Sequence, residues 1–519
     1  MNPTAKLSAL TAPTGQDLRL FNSFSRSVEL FTPIDPTTVR LYSCGPTVYN
    51  HAHLGNLRAY VFTDTLRRTL NWKGWSVNHV INITDVGHLT SDADEGDDKM
   101  EAAARKTGKT IWDVAAFYTQ AFKSDLVRLN ILTPTLWSVA TDHIQDMIAF
   151  ARVIEARGLA YELDGGLYFD TSRVPDYGRL AGHNSDGPEV ARIEHVEGKR
   201  RASDFAIWRR SAPDENRQME WVSPWGAGAP GWHLECSVMS MKYLGTQFDI
   251  HTGGIDHREI HHCNEIAQNQ AYTGSEHTGA NFWMHNNFLV DREGKMSKSR
   301  GGFATLDSVS AAGIHPLAYR LLCLSAHYRS ELEFSAETVL GALTRLKRLA
   351  QALTQLRAQV ADTAPVLRLL DEIDATRGAT FAYQRESLEG SLSEAARGLL
   401  DRFDAAVSAD LMVPQALPLI DETIAADIPA DEKFRVIASM DLVLGLGLAT
   451  LDRKQLSVRP ASASLDDEGV ERLLDERATA RAAKDWGRAD SIRDELVAAG
   501  IDLMDGDALR WEWKPRLDG

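Results

Sequence analysis

The chain has 519 residues, a formal net charge of −16, 44% hydrophobic and 25% charged residues, and four cysteines. This length exceeds one ordinary hydrophobic core, so several domains are expected, and the composition is that of a globular protein rather than a disordered or fibrous one. Four cysteines without regular pairing argue against a disulfide framework and favour a reducing compartment.

Targeting and membrane signals are missing from the sequence. Residues 1–15 lack the apolar core of a signal peptide, and the longest weakly polar run, 442–451, is too short to cross a bilayer. We therefore expect a cytoplasmic protein without membrane contact. The negative charge does not exclude RNA binding, because RNA contacts local basic patches. Such patches occur at 199–210 and 345–348, although each alone is also typical of a solvated face.

The first part of the chain alternates strand and helix patterns. Strand-like runs at 39–43 and 77–83 are interleaved with helical periodicity at 60–70 and 111–129, which indicates an α/β fold. Residues 131–225 are mixed and punctuated by glycine and proline. An α/β pattern returns over 226–316.

The segment 44–68, which follows the first strand, predicts a strand–turn–helix unit. Gly45 and Pro46 form the turn, and a helix starts near His53. Helix N-termini carry free N–H groups and a partial positive charge, so they hold phosphates. His53 and Asn56, three residues apart, can both reach an anion there.

Two cysteines, a histidine and a glutamate from separate segments form a candidate zinc set. Cys44 ends one strand-like run, Cys236 lies in WHLEC, and HHCNE supplies His261 and Glu265. A spacing of i,i+4 places the last two on one face of a helix. Two sulfur ligands favour zinc over magnesium or calcium. Taken alone, Cys236 or His261 is more typical of a buried cysteine or an ordinary polar helix than of a metal ligand.

A second chemical segment is the loop DREGKMSKSRGG, residues 291–302. Lys295, Lys298 and Arg300 make it compactly cationic among glycines. Such a loop can close over a triphosphate and stabilise charge that develops during transfer. On its own, a loop of this composition is usually solvated surface.

The C-terminal part differs in pattern. From Leu317 to about Leu451 the periodicity is almost purely helical. A Ser/Pro/Ala/Asp-rich stretch, 457–467, reads as a linker, and a small unit follows with a charged helix at 468–499 and Trp511 and Trp513 near its end. The chain contains no evident internal repeat.

These motifs together resemble the class I aminoacyl-tRNA synthetases, and within them the cysteinyl-tRNA synthetase family. AHLGN at 52–56 is similar to the first signature of the class, and KMSKS at 295–299 matches the second unchanged. The likeness extends through FNSFSRSVELF, NITDV, SPWGAGAPGWHLEC, FDIHTGG, AHYRSELEFS and the tail at 476–501. It implies five regions: a Rossmann-like catalytic domain in two halves, 1–130 and 226–316, around an insertion at 131–225, then a helical tRNA- and anticodon-binding domain at 317–456 and a linker with a small C-terminal domain at 457–519.

The resemblance also implies the chemistry and the partners. Cysteine would be activated by ATP with magnesium and passed to tRNA(Cys), and one zinc ion would read the substrate thiolate. His53, Asn56, Lys295 and Lys298 would be catalytic, with Gly55 also contacting ATP. Around the amino acid the resemblance places Cys44, Thr84, Trp232, Asp256 and His261.

The chain departs from the family pattern at three places. Asn56 stands where a second histidine is usual, and Cys263 where glutamate is typical. Cys263 is two residues from His261 and should face elsewhere, so we leave it outside the ligand set. The acidic segment 87–100 does not fit a calcium loop and is expected to be solvated.

Two other interpretations stay open. A paralogue could pass cysteine to an amino-sugar or another small amine, but it would give the long helical region no purpose. An inactive RNA-binding relative is disfavoured by the intact Lys295–Ser299 and by the four ligands. We expect a monomer.

Overall fold

The structure is a computed structural model that describes residues 15–87, 99–182, 198–212, 217–291, 294–295, 305–371, 378–507 and 509–516. Its strands are β1 (Arg19–Asn22), β2 (Ser27–Leu30), β3 (Thr38–Ser43), β4 (Ser76–Ile83), β5 (Leu136–Val139), β6 (Ala160–Leu163), β7 (Gly166–Phe169), β8 (Phe205–Arg210), β9 (Trp221–Ser223), β10 (Gly226–Pro230), β11 (Phe248–Gly254), β12 (Ala280–Asn286), β13 (Leu289–Asp291), β14 (Gly294–Lys295), β15 (Leu332–Glu333), β16 (Ile501–Leu503) and β17 (Trp511–Trp513).

The described residues also form 18 α-helices, of which the later ones make up an almost entirely helical second half. They are α1 (Leu54–Trp72), α2 (Lys99–Thr107), α3 (Ile111–Arg128), α4 (Ile144–Ala156), α5 (Trp232–Leu244), α6 (Ile255–Glu259), α7 (His261–Thr273), α8 (Leu306–Ala311), α9 (Pro316–Leu324), α10 (Ala336–Arg357), α11 (Ala364–Asp371), α12 (Gly378–Glu389), α13 (Glu394–Ser408), α14 (Val413–Ala416), α15 (Pro418–Ala425), α16 (Ala430–Leu444), α17 (Asp467–Ala482) and α18 (Trp486–Ala498).

A five-stranded parallel sheet in the order β12-β11-β3-β4-β5 forms the centre of the catalytic region. Its inner strands are buried on both faces, which suits the Val- and Ile-rich sequence of β4. The chain runs from β3 through α1 to β4 on one side, and from β11 through α7 to β12 on the other. The strand order therefore reverses between β3 and β11, where a crevice opens at the carboxyl ends of an α/β sheet. The predicted α/β fold and its first strands and helices are confirmed.

Helix α1 carries the first signature at its start and is buried along nearly its whole length. His53 is its N-cap: the His53 ring nitrogen Nδ1 accepts the Gly55 N–H at 2.8 Å, and the Asn56 side-chain oxygen accepts the His53 N–H at 3.2 Å. This reciprocal pair is a capping box. The prediction that a helix starts near His53 is confirmed, and its cause is the side chains of the signature itself.

The predicted insertion, 131–225, contains most of an antiparallel sheet in the order β6-β7-β8-β10-β9. The first strand within this range, β5, pairs instead with β4 in the parallel sheet. The last strand of the antiparallel sheet, β10, lies just beyond the range. The domain boundaries given above stay predictions.

The second half is helical from α9 onward, as predicted, and ends in a small unit with its own core of Val470, Ile492, Leu496 and Trp513. The prediction of a single charged helix at 468–499 is wrong in one detail, because this segment forms two helices, α17 and α18. The first helix ends before Lys484, which adopts a left-handed φ of 60°, and the Asp485 side chain accepts the Arg488 N–H to start α18. None of the helices in the described ranges is long and apolar enough to span a membrane.

A buried charge network joins helix α1 to the helical half. The Asp64 carboxylate accepts Arg68 Nε at 2.7 Å and an Arg320 guanidinium nitrogen at 2.6 Å, and all three side chains are at most 4% exposed. Both arginines also donate to backbone carbonyls at the end of α16. Burial raises the pKa of Asp64, but the two guanidinium groups outweigh it and lower the pKa below its usual value.

Asp64→Ala should destabilise the protein strongly, because it leaves two buried guanidinium groups without their carboxylate. Loss of one partner of a buried pair costs about 3–5 kcal/mol. The matched control is Asp421→Ala, whose partners Arg345 and Arg348 lie nearer the surface and whose loss should cost less than about 1 kcal/mol. Urea unfolding followed by tryptophan fluorescence measures both. Equal midpoints for the two variants would contradict this role of Asp64.

Candidate active site

A cleft opens at the carboxyl ends of β3, β11 and β12, where the strand order reverses. It is lined by the turn after β3, the start of α1, the start of α5 and the segment after β11. Among its lining residues are Cys44, His53, Trp232, Asp256 and Asn286. Segments that are far apart in sequence thus meet at one edge of the sheet, as the resemblance implied.

Cys44, Cys236, His261 and Glu265 converge beneath this cleft. Each offers a ligand atom within 4.8 Å of the others, and all four side chains are buried. Cys44 directly follows β3, Cys236 lies in the second turn of α5, and α7 supplies the other two at the predicted i,i+4 spacing. The structure therefore brings together the full set proposed from the sequence.

The Glu265 carboxylate has one engaged oxygen and one oxygen directed at the cluster. His251 Nε2 lies 2.9 Å from Oε2. Oε1 lies 3.1 Å from His261 Nε2, inside the cluster. A metal ion at the centre of the cluster would bind both of these atoms.

Histidines outside the predicted set contact two more of the ligand residues, His261 and Cys44. His233 Nδ1 lies 2.9 Å from His261 Nδ1, which leaves the Nε2 atom of His261 for the cluster. His262 Nε2 lies 3.3 Å from the Cys44 sulfur, and its Nδ1 lies 2.8 Å from His285. Partners of this kind orient metal ligands and fix histidine tautomers.

A second set, Cys44, His251, His262 and Glu265, also falls within 4.8 Å. It shares two members with the first set but has only one sulfur. The first set has two sulfurs and leaves the contact between His251 Nε2 and Glu265 Oε2 intact, so it is the better zinc set.

The charges in the cluster are strongly coupled. A hydrogen bond from the Cys44 thiol lowers the pKa of Cys236 from 9.0 to about 6, against the effect of burial. Burial raises the pKa of Cys44 well above its usual value. For His261, burial is outweighed by the Cys236 thiolate and Glu265, which raise its pKa to about 10. For Glu265, burial is likewise outweighed by His251 and His261, which lower its pKa to about 2.

This donor set is chemically suited to a soft, tetrahedral cation. It offers two sulfurs, one imidazole nitrogen and one carboxylate oxygen, and one thiol already favours the thiolate form that metals bind. Oxygen-preferring cations such as calcium or magnesium do not select two sulfurs. The residues present thus fit zinc.

The start of α1 forms a separate part of the cleft wall, where the predicted phosphate-binding residues His53, Gly55 and Asn56 lie. His53 Nδ1 and the Asn56 side-chain oxygen serve as helix caps. The Asn56 side chain is exposed, and its amide nitrogen is the donor group that it can offer to a ligand in the cleft. Gly55 is required by a close approach: a Cβ there would lie 2.5 Å from the His53 ring. A larger residue would displace the imidazole from the helix end.

Three further predicted residues occupy different positions. The Trp232 ring lies 4.2 Å from the His261 ring and lines the cleft. Asp256 is exposed at the cleft, in the first turn of α6. Thr84 is buried and donates to Glu235 at 2.8 Å; it is not among the residues that line the cleft.

The cationic loop is described only at its edges. Lys298 and the acidic residues 88–98 lie outside the described residues, and of Lys295 only the backbone, in β14, is described. After the loop, Thr305 forms an antiparallel β-bridge with His53. The residues that follow the second signature therefore pair with the first signature.

Cys263 was left outside the predicted ligand set. Its thiol donates to the Arg258 carbonyl at 3.3 Å, and it belongs to neither metal set.

Sequence reasoning missed the histidines that surround the ligands: His233, His251, His262 and His285. Two of them directly neighbour predicted site residues in WHLEC and HHCNE, which is a usable signal. His251 and His285 lie in buried strands. From the sequence alone, a histidine there is typical of a core residue whose ring nitrogens form ordinary hydrogen bonds. Their roles depend on pairings between strands that the sequence does not specify.

Comparisons with known proteins agree with this site. A family profile described as the tRNA synthetases class I (C) catalytic domain matches residues 30–344, and one described as the cysteinyl-tRNA ligase anticodon binding domain matches residues 467–510. A cysteine–tRNA ligase from Zymomonas mobilis is 66% identical over 95% of this chain and 97% of its own length. One from Novosphingobium aromaticivorans is 55% identical over 96% of this chain and 97% of its own. Among solved structures, a methionyl-tRNA synthetase from Mycobacterium tuberculosis aligns over 80% of this chain and 90% of its own with a TM-score of 0.51 at 16% identity, which shows a shared fold.

In metal-free protein, Cys236 should ionise near neutral pH. Its pKa is lowered to about 6, so the proton is lost, and thiolate absorbance near 240 nm rises, as the pH increases through that value. Cys236→Ser should lack this step. The step should persist in Cys323→Ser, because burial raises the pKa of Cys323 to about 11. A step that survives in Cys236→Ser would assign the thiolate to another residue.

Proposed function

The chain belongs to the cysteine–tRNA ligases of the class I aminoacyl-tRNA synthetases, and we propose that Cys44, Cys236, His261 and Glu265 hold a zinc ion that binds the thiolate of the substrate cysteine. An enzyme of this kind works on cysteine, ATP and tRNA. The observation that carries the zinc proposal is the convergence of two sulfurs, one imidazole nitrogen and one carboxylate oxygen, all from buried residues and all within 4.8 Å of one another.

Zinc would supply selectivity rather than hydrolysis. Serine has nearly the size of cysteine, so packing alone would separate the two amino acids by only about 1–3 kcal/mol. A thiol deprotonates readily and suits a metal that already has sulfur ligands, whereas a hydroxyl is a hard, weakly acidic ligand. The side chains here prepare that selection by excluding water and by holding two thiols at one point.

The ATP site is proposed at the start of α1. The N–H groups of the first helical turn and the amide of Asn56 would hold phosphate oxygens together with the His53 imidazole. Gly55 lets the imidazole fold against this turn. From the sequence, Lys295 and Lys298 would add positive charge from the loop that follows β13, and magnesium would accompany ATP. In the first step, an oxygen of the cysteine carboxylate attacks the α-phosphorus as pyrophosphate leaves.

The amino-acid group would lie between Trp232 and Asp256. Asp256 is exposed at the cleft and can pair with the substrate ammonium. Trp232 packs on the ligand His261, so it covers the side of the cluster that the substrate reaches. We propose Thr84 as an indirect contributor, because its hydroxyl donates to Glu235 on the same helix turn as Cys236.

The paralogue that transfers cysteine to a small amine is not favoured. The 66% identity to a cysteine–tRNA ligase covers 95% of the chain, and the terminal unit matches an anticodon binding domain. That unit supports tRNA as the acceptor. We also propose a cytoplasmic location, supported by four free, buried cysteines. The monomeric state stays a prediction.

Cys236→Ser should lose bound zinc and raise the Michaelis constant for cysteine far more than that for ATP, because the hard hydroxyl cannot replace a thiolate ligand. Zinc content by atomic absorption and cysteine-dependent exchange of pyrophosphate into ATP measure the two effects. Cys263→Ser is the matched control, since its thiol donates to the Arg258 carbonyl and belongs to neither metal set, so its loss should leave both quantities near wild type. Full zinc content in Cys236→Ser would remove Cys236 from the site.

Lys298→Ala should slow adenylate formation while leaving zinc content unchanged. Mutations that remove one group stabilising charge in a transition state cost about 10²–10³ in rate. Pre-steady-state adenylate formation at saturating ATP and cysteine provides the measurement. A wild-type rate would exclude the proposed role of the second signature.

A further inference from the structure

Three aromatic rings in mutual contact form a partly exposed ledge at the mouth of the cleft. They belong to His51, Phe117 and Tyr118, and we call them the aromatic ledge. The His51 ring lies 5.9 Å from Phe117 and 5.1 Å from Tyr118, and the last two rings lie 5.1 Å apart, all nearly perpendicular. Phe117 is nevertheless 52% exposed. The rings support one another, yet the ledge still presents apolar surface to solvent.

The aromatic ledge is continuous with the catalytic cleft. His51 and Tyr118 both line the cleft. One turn beyond Tyr118 on α3, the buried Phe122 packs on Tyr60 at 4.8 Å, and the Tyr60 hydroxyl donates to the Cys44 carbonyl. Aromatic side chains therefore lead from the solvent to Cys44, which follows β3 and offers a metal ligand.

Positive charge accompanies these rings. The Lys109 ammonium lies 5.3 Å from the Phe117 ring centre, and Arg105 and Lys106 are exposed in the last turn of α2. The acidic residue of this stretch, Asp113, accepts hydrogen bonds from Thr110 at the start of α3. Exposed rings with adjacent cations are the combination that binds single-stranded nucleic acid, whose bases stack while its phosphates contact the cations.

We propose that the aromatic ledge is a stacking platform for the single-stranded 3′ end of the tRNA, a surface that rests on the function proposed above. Phe117 precedes Phe122 by five residues, about 7.5 Å along a helix axis. This is about two base spacings of a nucleic-acid strand. Bases just before the terminal nucleotide would stack on the ledge while the terminal ribose enters the cleft. The adenine of ATP is the competing occupant.

Replacement of the Phe117 ring tests the proposal. Phe117→Leu keeps apolar volume but removes the ring, so kcat/KM for tRNA charging should fall about tenfold, within the range for loss of one stacked base. Pyrophosphate exchange, which needs no tRNA, should stay at the wild-type rate, and Phe117→Trp should restore charging. Val127→Ala is the control on the same helix: Val127 is 72% exposed and should leave both activities unchanged.

A binding measurement separates this proposal from the proposed function. Wild type should bind intact tRNA more tightly than tRNA that lacks its single-stranded 3′ end, and Phe117→Leu should lose most of that difference. The same difference in both proteins, or wild-type charging by Phe117→Leu, would overturn the platform. Equal losses of charging and exchange would assign the ring to ATP and also overturn it. Failure of wild type to charge any tRNA would reject the proposed function, while the binding comparison would still decide the ledge.

Discussion

Two thiols and a carboxylate cannot all carry negative charge inside a protein without a cation, and this constraint organises the centre of the molecule. Water is excluded from Cys44, Cys236 and Glu265, so their charges must be balanced locally. The protein itself supplies part of the balance: one thiol donates to the other, and His261 takes a proton. The Glu265 oxygen Oε1 lies 3.1 Å from His261 Nε2. The divalent cation proposed above would take over this balance of charge.

The surrounding histidines follow from the same constraint. His251 and His233 each contact one ligand residue on an atom that the proposed ion does not need, whereas His262 contacts the Cys44 sulfur itself. They are buried, and burial lowers the pKa of His262 and of His233 well below its usual value, so these two rings orient ligands without adding charge. The parallel sheet makes this arrangement possible, because β3, β11 and β12 deliver residues to one edge. The start of α1, where we propose that phosphate binds, lines the same cleft as Cys44.

Much of this could be predicted from the sequence. The i,i+4 pair His261 and Glu265, the capped helix at His53 and the alternation of strand and helix are local patterns, and each is confirmed. What could not be predicted depends on contacts between distant segments. The contact of His251 with Glu265 requires knowing that β11 lies beside α7, and the break at Lys484 requires a left-handed residue that no local pattern demands. Thr84 was expected in the pocket, but its hydroxyl is buried against Glu235.

The central claim concerns the sulfur atoms around the metal. X-ray absorption at the zinc edge counts them directly in purified enzyme, with and without cysteine. We predict two sulfur ligands in the free enzyme, from Cys44 and Cys236, and a third when cysteine is added. One sulfur with two imidazoles would instead indicate the set of Cys44, His251, His262 and Glu265. A count that does not change on adding cysteine would contradict direct reading of the substrate thiolate.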